Sequence, residues 1–177
     1  MKWRSIEAWY AARLDARDAR AALIAIAAFC IAGVLFLTGM KAAQDIFIDA
    51  AEAYAWGQSF LGGYGRHPPM TGWIAGVWYS VFPAADWASY AFSRVMTFAT
   101  LAALYFIARR VAGPRRALFV VLLMMLYPLF HTKGERFNNY QVLLALLPLL
   151  VLTFPSPTRN ATRCGARCSA WPRRPAR

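Results

Sequence analysis

"AALIAIAAFCIAGVLFLTGM", Ala21 to Met40, carries no charged residue over its 20 positions. As a helix rising about 1.5 Å per residue it would be about 30 Å long, one hydrocarbon thickness. A secretory signal has a shorter apolar core, about 7–15 residues, followed by a small-residue cleavage site. The flank before this run is 20 residues long and contains Glu7, Asp15 and Asp18. The stretch therefore reads as an uncleaved anchor helix, and that reading sets the class of the chain.

The rest of the chain repeats the pattern. Of its 177 residues 59% are hydrophobic, and they stand in blocks. Three further blocks are of spanning type: "WASYAFSRVMTFATLAALYFIA" at 87–108, "ALFVVLLMMLYPLFH" at 117–131 and "YQVLLALLPLLVLTFP" at 140–155. The last two are short for a span of about 20 residues. Arg115 and Arg116 can extend the third by snorkelling. Pro128 and Pro148 are predicted to kink their helices or end them early.

Net charge +12 raises the possibility of nucleic-acid binding, but the distribution of charge argues against it. The basic residues cluster at 1–20, 109–116 and 159–177, between or outside the apolar blocks. With four spans and a cytoplasmic N-terminus these clusters all face the cytoplasm, as the positive-inside bias requires. Of the 20 Lys and Arg, only Lys41, Arg66, Arg94, Lys133 and Arg136 then lie elsewhere. A fifth apolar run, "MTGWIAGVWYSVF" at 70–82, would put Arg109, Arg110, Arg115 and Arg116 outside if it crossed. It is predicted to lie along the outer interface, with Trp73, Trp78 and Tyr79 in the aromatic belt.

The expectation is an all-α integral membrane protein of about four transmembrane helices, multi-pass in the plasma (inner) membrane. Residues 1–20 form a cytoplasmic segment and 21–155 the membrane region. Within it lie a long outer loop at 41–86, with juxtamembrane helices, and a shorter one at 131–139. The Arg- and Pro-rich stretch 156–177 is expected to be disordered. Cys30 reads as a small packing residue, and Cys164 and Cys168 as a lone pair of thiols with no second ligand pair.

The first outer loop gathers the chemistry. Asp49 and Glu52 have capping-box spacing, an acceptor followed by Glu at N3, and capping alone would account for them. A helix starting at Asp45 instead puts Asp45, Asp49 and Glu52 on one face. Either way carboxylates stand just outside the membrane, near Trp56. In "LGGYGRHPP" the glycines permit a tight turn, and Pro68 pushes His67 toward an extended conformation. Arg66 and His67 then project from a stiffened corner, or are ordinary surface residues of a loop.

Arg94 lies about two turns inside the second span, an expensive place for a charge. It either serves a site or snorkels to lipid phosphates. The second outer loop adds Lys133 and Arg136, which can bind a phosphate, and Asn138 or Asn139, either of which can cap the last helix. Carboxylates can deprotonate a hydroxyl or hold a divalent cation, and cations can neutralise a phosphate leaving group. The set suits transfer chemistry on a lipid-linked phosphate.

The ordered stretches "DAAEAYAWGQSFLGGYGRHPPMTGWIAGVW", "SRVMTFATLAALYFIARRVAG" and "ERFNNYQVLLALLPL" resemble the N-terminal part of bacterial family-39-like glycosyltransferases. These are grouped with protein O-mannosyltransferases and lipid A aminoarabinose transferases, and the resemblance covers about 44–154. It implies the N-terminal part of a GT-C membrane fold and a polyprenyl-phosphate-linked sugar donor. It also implies inverting transfer on the extracytoplasmic face. Asp49 would be the general base or would position the acceptor, His67 would contact the donor phosphate, and Arg94 matches a recurrent arginine. Glu52 departs from the family pattern, whose second acid directly follows the first; here that position is Ala50. Family members have more spans, so a truncated or frameshifted product is also an expectation. The alternative function is a non-enzymatic membrane protein, a transporter subunit or assembly partner.

Overall fold

A computed structural model describes residues 3–41, 47–65, 67–131 and 137–154, with side chains described from Asp15 onward except that of His131. The described residues are helical: α1 (Trp3–Met40), α2 (Ile48–Gly57), α3 (Pro69–Val81), α4 (Asp86–Ala112), α5 (Pro114–Leu126), α6 (Pro128–His131) and α7 (Asn139–Thr153). Arg66, Lys133, Arg136 and the 156–177 tail fall outside them.

Helix α1 begins well before the apolar run because nothing between Trp3 and Ala32 breaks it: there is no Gly or Pro, and Ala, Arg and Leu favour helix. Helix α4 has Asp86 in its first turn and Arg109 and Arg110 in its last, the charge order its macrodipole favours. It stops at Gly113, whose φ of 85° suits glycine, and Pro114 opens α5 at the first helical position. The break expected at Pro128 is present. Tyr127, the residue before it, is extended at φ −72° and ψ 132°, because proline disfavours helical backbone at its predecessor. Pro148 sits inside α7, which continues past it.

Two helices are long and apolar enough to cross a membrane, Asp15–Met40 and Asp86–Ala112; α5 and α7 are apolar but shorter, at 13 and 15 residues. Large apolar side chains stay exposed on their outer faces, among them Ile31, Leu35, Phe119, Leu122, Leu147 and Leu150. Such a surface is a liability in water and ordinary in lipid.

Helix α4 is the central element and packs against α1, α5 and α7. Arg109 pairs with Asp15 at one end, whereas Arg94 meets Gly33 toward the other, so α1 and α4 are antiparallel. Arg110 reaches the end of α7 and Phe92 its start, so α4 and α7 are parallel. One core cluster joins α1, α4, α5 and α6 through Ile26, Cys30, Leu101, Tyr105, Val121 and Phe130. Cys30 is buried there, as a packing residue would be. A second cluster, Ala50, Ala53, Ala75, Phe92, Phe137 and Val142, fastens the α2–α3 pair to the starts of α4 and α7. All of α2 and α3 therefore sits at the end of the bundle opposite Arg109 and Arg110.

Candidate functional site

The site is built on the α2–α3 hairpin, whose closeness depends on glycine. A Cβ added to Gly57 would lie 2.6 Å from the backbone nitrogen of Gly76, and one added to Gly76 would lie 2.6 Å from the carbonyl oxygen of Gly57. The two backbones touch, and neither position has room for a side chain. Across the same pair Tyr54 meets Tyr79 edge to face at 5.1 Å. Tyr79 in turn hydrogen-bonds Ser89 on α4 at 2.8 Å. Burial raises the Tyr79 phenol above its ordinary range, so it stays protonated for that bond.

The connection between α2 and α3 closes on itself. Gly65 takes φ 59°, which lets the chain reverse. Tyr64 and His67 then exchange two backbone hydrogen bonds, of 3.2 and 3.0 Å. The Tyr64 hydroxyl donates to the Ser59 carbonyl and accepts from the Leu61 N–H at 3.1 Å, while the Trp73 indole N–H donates to the Leu61 carbonyl at 2.9 Å. His67 thus stands on the rigid corner that the sequence predicts.

Aromatic rings extend the corner. Tyr64 stacks on Trp56 at 5.5 Å, and the other neighbour of Trp56 is the His67 imidazole at 5.1 Å. His67 is exposed. Its Nδ1 lies 2.6 Å from the carboxamide Nδ2 of Asn139, the first residue of α7. Asn138 is the cap: its Oδ1 accepts from the Gln141 N–H at 3.1 Å. Helix α3 begins beside His67 with no side-chain cap, so the positive ends of two helices converge on this corner.

The acids lie elsewhere on α2. The capping-box expectation is corrected: Phe47 is the N-cap, with no side-chain cap bond, and Asp49 is the second helical residue. The helix starts two residues earlier than the box requires, and Asp49 instead favours the first turn through the macrodipole. Asp49 is half-buried and Glu52 exposed, three residues apart on one side of the helix. Asp49 is two turns, about 10 Å, from Trp56 along α2. The structure brings Trp56 and His67 together and places Asp49 at the far end of the same helix. No hydrogen bond or ion pair joins Asp49 to His67. Among the described residues no three His, Cys, Asp or Glu side chains converge as a metal site would need.

Arg94 is only 4% exposed. Its Nη1 donates to the Phe130 carbonyl at 2.8 Å, and the guanidinium lies over the Phe29 ring at 5.8 Å. A Cβ on Gly33 would come within 2.7 Å of it, so the side chain lies flat against α1. Of the two readings of Arg94, snorkelling to lipid phosphates is not the one observed. Arg94 holds α6, the turn that leads into the segment with Lys133 and Arg136.

Below the His67 corner, between α4, α6 and α7, lies a cavity of about 370 Å³ whose polar lining includes Thr97, Thr100 and Gln141. Both threonine hydroxyls bond back to their own helix, at 3.1 and 2.9 Å. Asp49, Trp56 and His67 do not line this space.

Sequence reasoning missed Asn139 as part of the site. The only signal was the Asn138–Asn139 doublet, since one residue suffices for the cap.

The profile of the dolichyl-phosphate-mannose-protein mannosyltransferase family matches residues 66–161. The match opens at the corner carrying His67, takes in α3 through α7 and covers more than half of the chain. Neither curated proteins nor solved structures yield a match. On the strength of the profile, and of an all-helical fold with two helices able to span, the chain belongs to the dolichyl-phosphate-mannose-protein mannosyltransferase family.

Proposed function

We propose that the chain takes part in sugar transfer from a polyprenyl- or dolichyl-phosphate-linked sugar to an acceptor on the extracytoplasmic face of the membrane. The family match from the His67 corner through α7 carries this reading. In this arrangement α1, α4, α5 with α6, and α7 supply four spans, α3 rests at the outer interface, and the N-terminus is cytoplasmic. The protein then resides in the plasma (inner) membrane. Its basic clusters face inward, as the positive-inside bias favours.

The chemistry follows from the residue types. The Asp49 carboxylate takes the proton of the acceptor hydroxyl. The acceptor oxygen attacks the anomeric carbon, the bond from that carbon to the phosphate oxygen breaks, and the lipid phosphate leaves with the electron pair. Attack opposite the leaving group inverts the anomeric centre. His67, at two converging helix N-termini, donates a hydrogen bond to the departing phosphate. Lys133 and Arg136 neutralise its charge from the second loop, with Arg66 beside His67. Trp56 offers a face for the sugar ring. The separation between Asp49 and the corner, about two helical turns, leaves room for a sugar between base and phosphate. Glu52 borders the acceptor side. A divalent cation, if the reaction uses one, would draw on Asp49 and Glu52 as oxygen ligands.

The test is sugar transfer from dolichyl-phosphate mannose by the full chain in lipid nanodiscs, with wild type and Asp49→Asn in parallel. Activity in wild type that is lost in Asp49→Asn supports the assignment. Equal activity in both removes Asp49 from the mechanism, and no transfer in either removes the transferase reading for this chain.

A further inference from the structure

We propose that Asn139 is the positioning residue of His67: its carboxamide donates to Nδ1, holds the neutral imidazole in the Nε2–H tautomer, and turns that N–H outward. The inference deepens the proposed function and rests on it only for the purpose of the outward N–H.

Four observations carry it. The Asn139 Nδ2 to His67 Nδ1 distance is 2.6 Å, a direct hydrogen bond between residues 72 apart in sequence. Asn139 is free for this role because Asn138 already caps α7 through the Gln141 N–H. The imidazole cannot swing away easily: its ring rests against Trp56 at 5.1 Å, tilted by 35°, and its backbone is tied twice to Tyr64. The partner is equally fixed, since Phe137 stacks on Phe92 at 4.2 Å and Val142 shares a buried cluster with Ala53 and Ala75. The hydrogen bond therefore joins two rigid bodies, the hairpin corner and the start of α7.

A neutral imidazole has one N–H and one bare nitrogen, and the partner of one nitrogen decides which is which. An amide N–H aimed at Nδ1 needs a lone pair there, so the proton resides on Nε2. Without the amide, the two tautomers compete and a share of the molecules would turn a lone pair toward an anion, where it repels. Partners of this kind, one step removed from the reacting atoms, typically change affinity or rate by about 10–100-fold when removed.

The experiment reads the tautomer directly. The chain has two histidines, so His131→Gln leaves His67 alone for ¹⁵N-histidine spectroscopy of the full chain in nanodiscs, at a pH of about 8 where a free imidazole is neutral. The expected spectrum shows a protonated Nε2 and a bare Nδ1, with the other tautomer at least about tenfold less populated. Asn139→Asp replaces the donor by a carboxylate of nearly the same shape, which accepts instead, and should move the proton to Nδ1. Asn139→Ala should leave a mixture. Helix content by circular dichroism checks that the variants fold. The protein without any change at Asn139 already suffices to overturn the proposal: a dominant Nδ1–H form, or an even mixture, contradicts it. An unchanged spectrum in folded Asn139→Ala does so as well. In transfer assays with dolichyl-phosphate mannose, Asn139→Ala and Asn139→Asp should each lower kcat/KM about 10–100-fold. A fixed tautomer in a protein with no transfer activity would keep the positioning role and discard the transferase reading. Transfer activity with a mixed tautomer would do the reverse.

Discussion

The two ends of the helical bundle use polar residues in opposite ways. At the basic end, two of the cations are taken up by the protein itself, while Arg115 and Arg116 stay exposed: Arg109 pairs with Asp15, and Arg110 donates to the Leu152 carbonyl at 2.9 Å, where α7 runs out of internal partners. At the hairpin end, His67 spends one ring nitrogen on Asn139 and keeps its other edge exposed, on a corner held by paired backbones and stacked rings. A cation satisfied by carbonyls and a carboxylate is a fastening. A polar group fixed from behind and open in front is placed to meet something else. Charge density alone would point to the basic end, and the geometry points away from it.

The largest effects on transfer should come from the hairpin end. Asp49→Asn is expected to lower transfer by about 10²–10⁴-fold, the range for a general base, while the unfolding midpoint falls only slightly, by the roughly 0.3–1 kcal/mol that a first-turn acid gains from the helix macrodipole. A parallel drop in midpoint and rate would break the comparison, since Asp49 would then be holding structure. Gly76→Val tests the platform itself. Its side chain would collide with the Gly57 carbonyl and the Phe60 ring, so the hairpin must open. The expected cost is about 1–3 kcal/mol, read as faster proteolysis in the Gln58–Pro68 connection, with transfer lost at the same time.

What could be read from the sequence divides along similar lines. The apolar helix over 21–40, the long α4, the break before Pro128 and the turn between Gly65 and His67 rest on local rules of length, glycine freedom and proline geometry. What escaped were contacts between distant segments. Gly57 and Gly76 gave no sign of facing each other, because glycine fits both loops and tight contacts. Asn138 and Asn139 were equivalent as caps until the position of His67 separated them. Asp49 suited an N-cap as well as a first-turn acid, and a shift of two residues in the helix start decided it. Arg94 was flagged by its depth, but its partner is a backbone carbonyl 36 residues away, a group every residue carries and no sequence pattern marks.

Arg94 provides the next prediction in size, since its side chain is spent between the helices, on the Phe130 carbonyl and against α1. Arg94→Met would leave the Phe130 carbonyl without this donor in a buried setting. That should cost about 1–3 kcal/mol, read as a lower unfolding midpoint in detergent. Arg94→Lys, which keeps charge and donors, should lose less. If Arg94→Met instead matched wild type in stability and lost only transfer, Arg94 would belong with His67 as part of the site.

The smallest effect is expected at the basic end. The Asp15 and Arg109 side chains are 37% and 27% exposed, so solvent screens their attraction. A double-mutant cycle with Asp15→Ala and Arg109→Ala should give a coupling of no more than about 1 kcal/mol, shrinking as salt is added. Neither single variant should change the rate of transfer. The measurement is the unfolding midpoint of the two single variants, the double variant and wild type at low and high salt. A coupling well above that figure and insensitive to salt would mean the pair is shielded by lipid or by further chain. The basic end would then be a buried joint, and the contrast with the hairpin end would lie in what each charge faces, with burial similar at both.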